Sequence, residues 1–393
     1  MRAGIFFVVA FVVAPSVLFL RSQAQDKLPK RPVELDKGVV WQRDPATGEL
    51  RITAGVAGAA GASTGAAAGA NAIRVRTQIV PVTCVVSTAD GTAVPGLRRE
   101  DFRVFEDGLA QRISYFDAST QPASVALILD ASPSVLPDAD EMHAAAGALI
   151  DALAPLDQAA VINFSAHTYL QLPFSDAREE IRRAVDRVNV RELFTDTGGS
   201  NIYQAVYLAA EKLFRGRTGR KAIVLLTDGQ DSGLGLTYDP ASMSPDPDRP
   251  NALAFDDVAR LLAAEDIQLF AVSTENRPKV MTPAWIEAHQ DATLATLEAR
   301  RQGIPAYTLY LAELVRRAGG QLYFLNESAS VADTFRKIAE KIRSEYTLGF
   351  YPEEGAGTAD DRTGWHPLRV EAPGEPGIRI GYRAAYYVPI AAR

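Results

Sequence analysis

The sequence predicts an α/β fold with a doubly wound, mostly parallel sheet flanked by helices and a small β-sandwich-like module formed by the flanking segments. Between residues 124 and 346, apolar runs of strand length alternate with stretches of helical periodicity. Short runs with the two-residue alternation of β-strands lie before and after that region. Neither flanking stretch has enough strands for a core of its own, so we expect the two to combine.

The chain starts with a segment typical of a secretory signal peptide. Arg2 precedes an apolar run over residues 5–20, and Ser22 and Ala24 fit the small-x-small cleavage pattern. This predicts a signal peptide over residues 1–24. An uncleaved membrane anchor is the alternative, because the run is almost long enough to span a bilayer. Pro15 and the small residues that follow favour cleavage.

The number of cysteines indicates the cellular compartment in which the protein is located. Cys84 is the only cysteine, so no intramolecular disulfide can form. Export without disulfides is more typical of a bacterial envelope protein than of a eukaryotic extracellular one. We therefore expect a secreted, periplasmic or cell-envelope protein of bacterial origin.

Residues 25–73 show no convincing hydrophobic pattern. Residues 27–37 are charged and contain proline, and residues 54–70 are almost entirely Ala, Gly, Ser and Thr. Such a tract has little side chain to bury, which predicts a low-complexity, Gly/Ala-rich flexible tether. A helical alanine stretch is the alternative, but the recurring glycines disfavour it.

Residues 74–120 form the first β segment. Val80, Val82, Cys84 and Val86 alternate on one face of a predicted strand, and turns with Asp-Gly pairs follow. The second β segment, residues 347–393, contains three further strand-like runs. We expect the two segments to pack together, with an α/β domain over residues 121–346 inserted between them.

Polar side chains follow two buried strands of this α/β domain. Residues 125–129 form an unbroken apolar run that ends in Asp130, Ser132 and Ser134, and residues 222–226 form another that ends before Asp228. Between them, Ser200 opens a helix after two glycines. Open α/β sheets bind ligands at the carboxyl ends of their strands, so these oxygens predict a site for a small divalent cation such as Mg²⁺.

The same residues resemble the metal-ion-dependent adhesion site (MIDAS) of a von Willebrand factor A (VWA) domain, and the resemblance covers residues 124–346. It implies a VWA fold of the secreted bacterial type. It also implies that Ser132 and Ser134 bind Mg²⁺ or Mn²⁺ directly, while Asp130 and Asp228 act directly or through water.

Two details of the resemblance concern neighbouring positions. Ser200 matches a position usually held by threonine, and it keeps the hydroxyl; Thr197 is the alternative ligand. In the family, partner capture can be coupled to movement of the last helix. The resemblance places that helix over residues 331–342 here.

The remaining pattern is unfavourable for nucleic-acid binding and for catalysis. The formal net charge is -7 without a basic cluster, which argues against a nucleic-acid partner. A haloacid-dehalogenase-like phosphatase needs a carboxylate where this chain has Ser132, and no Walker-type motif is present. The single Gly-x-Ser-x-Gly match, residues 61–65, lies in the Gly/Ala-rich tract and not between a strand and a helix, where a nucleophile elbow requires it. The four histidines, His143, His167, His289 and His366, form no metal-protease motif. We therefore expect no enzymatic activity.

The sequence favours a secreted, metal-dependent protein-binding module of the cell-adhesion type. An acidic side chain of a protein partner would complete the coordination of the cation. The alternative is a structural or assembly scaffold of the cell envelope with a degenerate or purely stabilising metal site. A regulatory subunit of an ATPase is a third reading, which the export signal disfavours. Membrane association is expected only if residues 1–24 remain attached.

Overall fold

The computed structural model describes residues 31–54, 79–88, 92–118, 121–188, 199–232, 251–282, 285, 299, 301–325, 331–352, 364–375 and 377–388. The predicted signal peptide and nearly all of the Gly/Ala-rich tract lie outside these residues, as do Thr197 and residues 233–250. Within the described part of the chain, no helix has the length and apolar character needed to cross a membrane.

The secondary-structure elements follow one another in an order that separates strand-rich ends from a mixed centre. The strands are β1 Val33–Glu34, β2 Val40–Arg43, β3 Leu50–Ala54, β4 Val80–Thr88, β5 Arg103–Glu106, β6 Leu109–Gln111, β7 Ile113–Asp117, β8 Ala123–Asp130, β9 Gln158–Phe164, β10 Thr168–Ser175, β11 Arg220–Thr227, β12 Gln268–Ser273, β13 Leu322–Phe324, β14 Glu345–Phe350, β15 Gly364–Glu371, β16 Ile378–Tyr382 and β17 Ala385–Val388. The α-helices are α1 Ala139–Ala152, α2 Arg178–Asp186, α3 Ile202–Ala209, α4 Phe255–Ala264, α5 Ala306–Arg317 and α6 Val331–Arg343. Helix α6 is the predicted last helix of the α/β domain.

A seven-stranded sheet forms the centre of the α/β domain. Its strand order is β1-β10-β9-β8-β11-β12-β13, and neighbours from β9 to β13 run parallel. Strand β10 is antiparallel to β9, and β1 is antiparallel to β10. The structure therefore confirms the predicted fold class, a mostly parallel sheet with helices on both sides and additional antiparallel sheets.

Helices cover the central sheet on both faces because its inner strands are apolar throughout. Strand β8 is buried along its whole length. Ala126 and Ile128 pack on the face covered by α3, α4 and α5, whereas Val125 and Leu127 pack on the face covered by α1, α2 and α6. Successive residues of a strand point to opposite faces, so one apolar run supplies both cores.

The flanking segments combine into two four-stranded antiparallel sheets, with strand orders β16-β4-β14-β7 and β17-β15-β5-β6. Each sheet contains strands from before and after the α/β domain. Their shared core includes Val82, Val104, Leu348 and Val370, and the buried thiol of Cys84 lies in the same core. Strands β7 and β14, through which the chain enters and leaves the α/β domain, pair with each other directly.

The prediction of a flexible tether over residues 25–73 is wrong for residues 31–54, where the structure describes strands docked on the α/β domain. Strand β1 extends the central sheet, and β2 and β3 form a hairpin. Arg43 binds both carboxylate oxygens of Asp257 at 2.7 Å, and Trp41 packs edge-on against Tyr207. These strands are short and their stabilising contacts join residues far apart in the chain, so local composition does not reveal them.

Candidate metal site at the strand ends

The candidate site lies where the central strands β8 and β11 end side by side. They run parallel with Leu129 opposite Leu226, so the next residues, Asp130 and Thr227, stand at the same edge of the sheet. Asp130 is completely buried there. The fold therefore brings together the polar ends of two apolar strands that are about a hundred residues apart, as expected for a parallel sheet.

The Asp130 carboxylate is surrounded by neutral hydrogen-bond donors. Its Oδ1 accepts from the amide of Ser132 at 2.9 Å. Its Oδ2 accepts from Thr227 Oγ1 at 2.6 Å and, at 3.5 Å, from Ser200 Oγ. Every one of these donors is uncharged, so the hydrogen bonds orient the carboxylate without neutralising its charge.

The two serines after β8 lie at the boundary between the protein interior and solvent. The Ser132 and Ser134 hydroxyl oxygens are 3.0 Å apart. Ser132 is buried, whereas Ser134 is exposed. One side of the oxygen cluster is therefore open to solvent, which is the side a second molecule can reach.

Ser200 is held in place by the segment after β11. Its amide donates to Ser232 Oγ at 2.9 Å, and the Ser232 amide donates to the Ser200 carbonyl at 2.7 Å. Gly199 has φ +89°, and a Cβ at this position would lie 2.4 Å from Ser232 Oγ. Only glycine fits both the left-handed backbone and this close approach. Asp231 accepts from the amide of Ile202 at 2.7 Å and so caps the start of α3.

Asp228 has one satisfied and one unsatisfied carboxylate oxygen. Its Oδ1 accepts from the amide of Gln230 at 2.8 Å. Its Oδ2 is buried and has no hydrogen-bond partner in the described part of the chain. A buried carboxylate oxygen without a partner is unfavourable, so this atom indicates a missing ligand or donor.

Two neighbouring carboxylates, those of Asp130 and Asp228, determine the electrostatics of the site. The pKa of Asp130 is raised to about 6: burial is the main cause, the hydrogen bonds from Ser132 and Thr227 oppose it, and the negative charge of Asp228 adds to it. Among the described residues, no arginine, lysine or histidine forms an ion pair with either carboxylate. Two carboxylates and several hydroxyls are the oxygen donors that Mg²⁺ and Mn²⁺ prefer, so the residues fit such an ion.

All five residues predicted as ligands, Asp130, Ser132, Ser134, Ser200 and Asp228, lie at this edge of the sheet or in the loops beside it. Thr197, the alternative to Ser200, lies outside the described residues. Sequence reasoning missed Thr227, whose hydroxyl makes the shortest contact to Asp130. Its position as the last residue of an apolar strand directly before Asp228 could have identified it.

Comparisons with known proteins agree with this architecture. The family model of the von Willebrand factor type A domain matches residues 124–300. No curated protein sequence matches the chain. Solved structures similar to it include an aerotolerance-related membrane protein from Bacteroides fragilis, at 15% identity over 56% of this chain and 98% of that chain, with a TM-score of 0.39.

Two further solved structures are similar. One is a von Willebrand factor type A protein from Catenulispora acidiphila, at 14% identity over 80% of this chain and 76% of that chain, with a TM-score of 0.37. The other is proximal thread matrix protein 1 from the mussel byssus with a zinc-occupied MIDAS motif, at 16% identity over 60% of this chain and 48% of that chain, with a TM-score of 0.38. These scores are low, so the assignment rests on the family match. The chain therefore contains a von Willebrand factor type A domain, matched over residues 124–300.

Proposed function

We propose that this protein is an exported, metal-dependent protein-binding module. The cation is Mg²⁺ or Mn²⁺, held by Asp130, Ser132, Ser134, Ser200 and Asp228 at the strand ends. The observation that carries the proposal is the buried Asp228 Oδ2, which has no hydrogen-bond partner among the described residues. Bound there, the cation supplies a positive charge and an open coordination position. The protein's own groups are binding groups, and we propose no catalytic role for them.

The partner that this site suits presents an acidic side chain. Three of the five proposed ligands are neutral hydroxyls, and the oxygens of Asp130 already accept hydrogen bonds from Ser132, Thr227 and Ser200. The cation therefore keeps attraction for a further anionic oxygen. Ser134 is exposed, so that oxygen can approach from the solvent side.

An extracytoplasmic location agrees with this role. The apolar segment near Met1 and the single, buried Cys84 support export to a bacterial envelope or beyond it. Millimolar divalent cations and foreign protein surfaces are both accessible there. We propose that partner capture, of the cell-adhesion type, is the function of the site.

Thermal unfolding of the mature protein in EDTA, Mg²⁺ and Mn²⁺ tests the metal site. A ligand that binds only the folded state raises the free energy of unfolding by about 3 kcal/mol at a hundredfold excess over its dissociation constant. We expect this rise for the wild type, and its loss in Asp130→Ala and Asp228→Ala. An equal response of the wild type and both variants would contradict the assignment.

Selection from a random peptide library in Mg²⁺, followed by elution with EDTA, tests the partner chemistry. We expect the eluted peptides to be enriched in Asp and Glu and to bind Asp130→Ala poorly. If the metal raises stability but no peptide depends on it, the metal only stabilises the fold and the scaffold function replaces the adhesion function.

A further inference from the structure

We infer that Glu34, Asp36 and His167 form a second metal site, separate from the strand-end site and selective for a transition-metal ion such as Zn²⁺. The three side chains come from β1, the residues that follow it and the turn between β9 and β10. One ligand atom from each lies within 4.8 Å of the other two. The resemblance to VWA domains assigns no role to any of these residues.

The distances among the three side chains suit a common ion. His167 Nδ1 is 2.8 Å from Asp36 Oδ2 and 3.8 Å from Glu34 Oε1. Ligands about 2.1 Å from a tetrahedral Zn²⁺ are about 3.4 Å apart, a value between these two distances. Small side-chain rotations therefore convert the present hydrogen-bonded arrangement into a coordination shell.

Strand geometry holds the ligands in register. Glu34 pairs with Tyr169, and the amide of Leu35 donates to the carbonyl of Thr168 at 2.7 Å. Asp36 lies just beyond the end of β1, where its Oδ2 is 2.8 Å from His167 Nδ1. Asp36 is fixed further by the amide of Thr168, which donates to its Oδ1 at 3.1 Å.

Thr168 is the residue that adjoins the cluster from β10. Its side chain is fully buried, and its Oγ1 has no hydrogen-bond partner in the described part of the chain. Thr168 pairs with Phe164, which packs on the α3 face of the sheet. Asp36 also reaches that face, because its Oδ2 accepts from Gln204 of α3. The unsatisfied hydroxyl therefore belongs to the residue whose amide holds Asp36, and it lies on the sheet face that α3 covers.

The charge balance also favours a bound cation. Lys212 donates to the carbonyl of Leu35, between the two carboxylates. One ammonium and two carboxylates leave a net negative charge when His167 is neutral, which is the form that binds metal. The strand-end site offers only oxygen, whereas this cluster includes an imidazole, a ligand that suits Zn²⁺, Co²⁺ and Ni²⁺. The two sites should therefore differ in metal preference.

An ion at this cluster would link the N-terminal strand to the strand-end site. The turn that carries His167 contacts the start of α3, because the Asn201 amide donates to the Ser165 carbonyl at 2.9 Å and its Nδ2 donates to the Ala166 carbonyl at 2.6 Å. Asn201 directly follows Ser200. An ion at the cluster thus fastens the N-terminal strand to the turn that supports the strand-end site.

Titration of the mature protein with Co²⁺ in saturating Mg²⁺ tests this inference. Mg²⁺ occupies the all-oxygen site, and Co²⁺ bound to nitrogen and oxygen ligands gives visible absorption that Zn²⁺ removes by displacement. We expect one Co²⁺ per chain. The dissociation constant should rise by at least about tenfold in His167→Asn and in Glu34→Gln.

His143→Asn is the matched control, because His143 contacts the carbonyl of Val188 away from the cluster. It should leave Co²⁺ binding unchanged, as should Asp228→Asn. His167 and Glu34 are both partly exposed, so their variants should unfold in EDTA like the wild type. Unchanged absorption in both cluster variants, or its loss in Asp228→Asn, would overturn the inference.

Discussion

The two ends of strand β11 hold buried carboxylates in different ways. At its carboxyl end lies Asp228, and at its amino end Arg220 lies beside Glu345, the first residue of β14. Each carboxylate has one buried oxygen without a hydrogen-bond partner among the described residues, Asp228 Oδ2 and Glu345 Oε1. Burial raises the pKa of Glu345 well above its ordinary value, just as it raises that of Asp130.

The difference lies in the source of positive charge. Arg220 lies 3.9 Å from the Glu345 carboxylate and also donates to the carbonyls of Ile342, Arg343 and Glu345, where α6 ends. The chain itself thus supplies the cation at the amino end. The carboxyl end has only neutral donors among the described residues, and we propose that a cation from solution binds there. On this proposal, two similar carboxylates belong to a structural site and to a binding site.

We expect the largest effect on stability from replacing Arg220, the positive charge that the chain itself supplies. Arg220→Met leaves Glu345 buried and the last carbonyls of α6 without their donor, so the free energy of unfolding should fall by about 3 to 5 kcal/mol. Urea unfolding in EDTA and in Mg²⁺ measures it, and the loss should be the same in both. Adding Glu345→Gln should recover part of the loss. A loss of stability seen in Mg²⁺ but not in EDTA would contradict the conclusion that Arg220 supplies the positive charge for Glu345.

The next effect concerns pH at the carboxyl end. The pKa of Asp130 is about 6 in the folded protein against 3.8 for the free side chain. Between these values the folded state binds more protons than the unfolded state, so the stability of the metal-free protein falls as the pH rises through this range. The total loss by neutral pH is about 3 kcal/mol. A bound cation would offset this loss of stability.

Stabilisation by Mg²⁺ should therefore be large at about pH 7.5 and small at about pH 5, where the proton takes the place of the metal. Thermal unfolding with and without Mg²⁺ at both pH values measures this difference. Asp130→Asn is the control, and it should show neither the pH dependence nor the response to Mg²⁺. A stabilisation by Mg²⁺ that is equal at both pH values would show that Asp130 does not take part in metal binding.

How well the sequence predicted each region depends on whether the signal is local. The apolar run before Asp130 and the hydroxyls after it are contiguous, so the sequence predicted the fold class correctly and also indicated the residues that we propose as ligands. Arg43 meets Asp257 and Glu34 meets His167 only through the folded topology. Composition around residues 31–54 gave no indication of these contacts. Thr227 did have a local signal, its place directly before Asp228, but its contact with Asp130 depends on the folded sheet.

A smaller effect should follow from loss of a neutral donor at the carboxyl end. Thr227→Val keeps the side-chain shape but removes the hydrogen bond to Asp130 and the acceptor for the amide of Gly229. We expect the free energy of unfolding to fall by about 2 kcal/mol, the usual range for a hydrogen bond to a charged group. Chemical denaturation measures it, and Thr227→Ser should behave like the wild type. If Thr227→Val left the free energy of unfolding unchanged, the Thr227 hydroxyl would not stabilise Asp130.

The smallest effect on stability should accompany a complete loss of metal response. Asp228→Asn keeps the oxygen that accepts from Gln230 and removes a charge that has no cationic partner in the described part of the chain. In EDTA the free energy of unfolding should change by less than about 1 kcal/mol. In Mg²⁺ the variant should gain nothing. A loss of several kcal/mol in EDTA would instead make Asp228 a structural residue like Glu345.

The pairing of β7 with β14 has a consequence for a protein that holds a partner under tension. Asp117 lies opposite Thr347, so the two connections to the α/β domain leave the β module side by side at one edge of the same sheet. Force applied to a partner bound to the α/β domain would reach the β module through these two neighbouring strands. Strand β14 also pairs with β4 over six residue pairs, from Glu345 to Phe350. Pulling either connection out of the β module would therefore break the backbone hydrogen bonds of β14, which is paired on both of its edges.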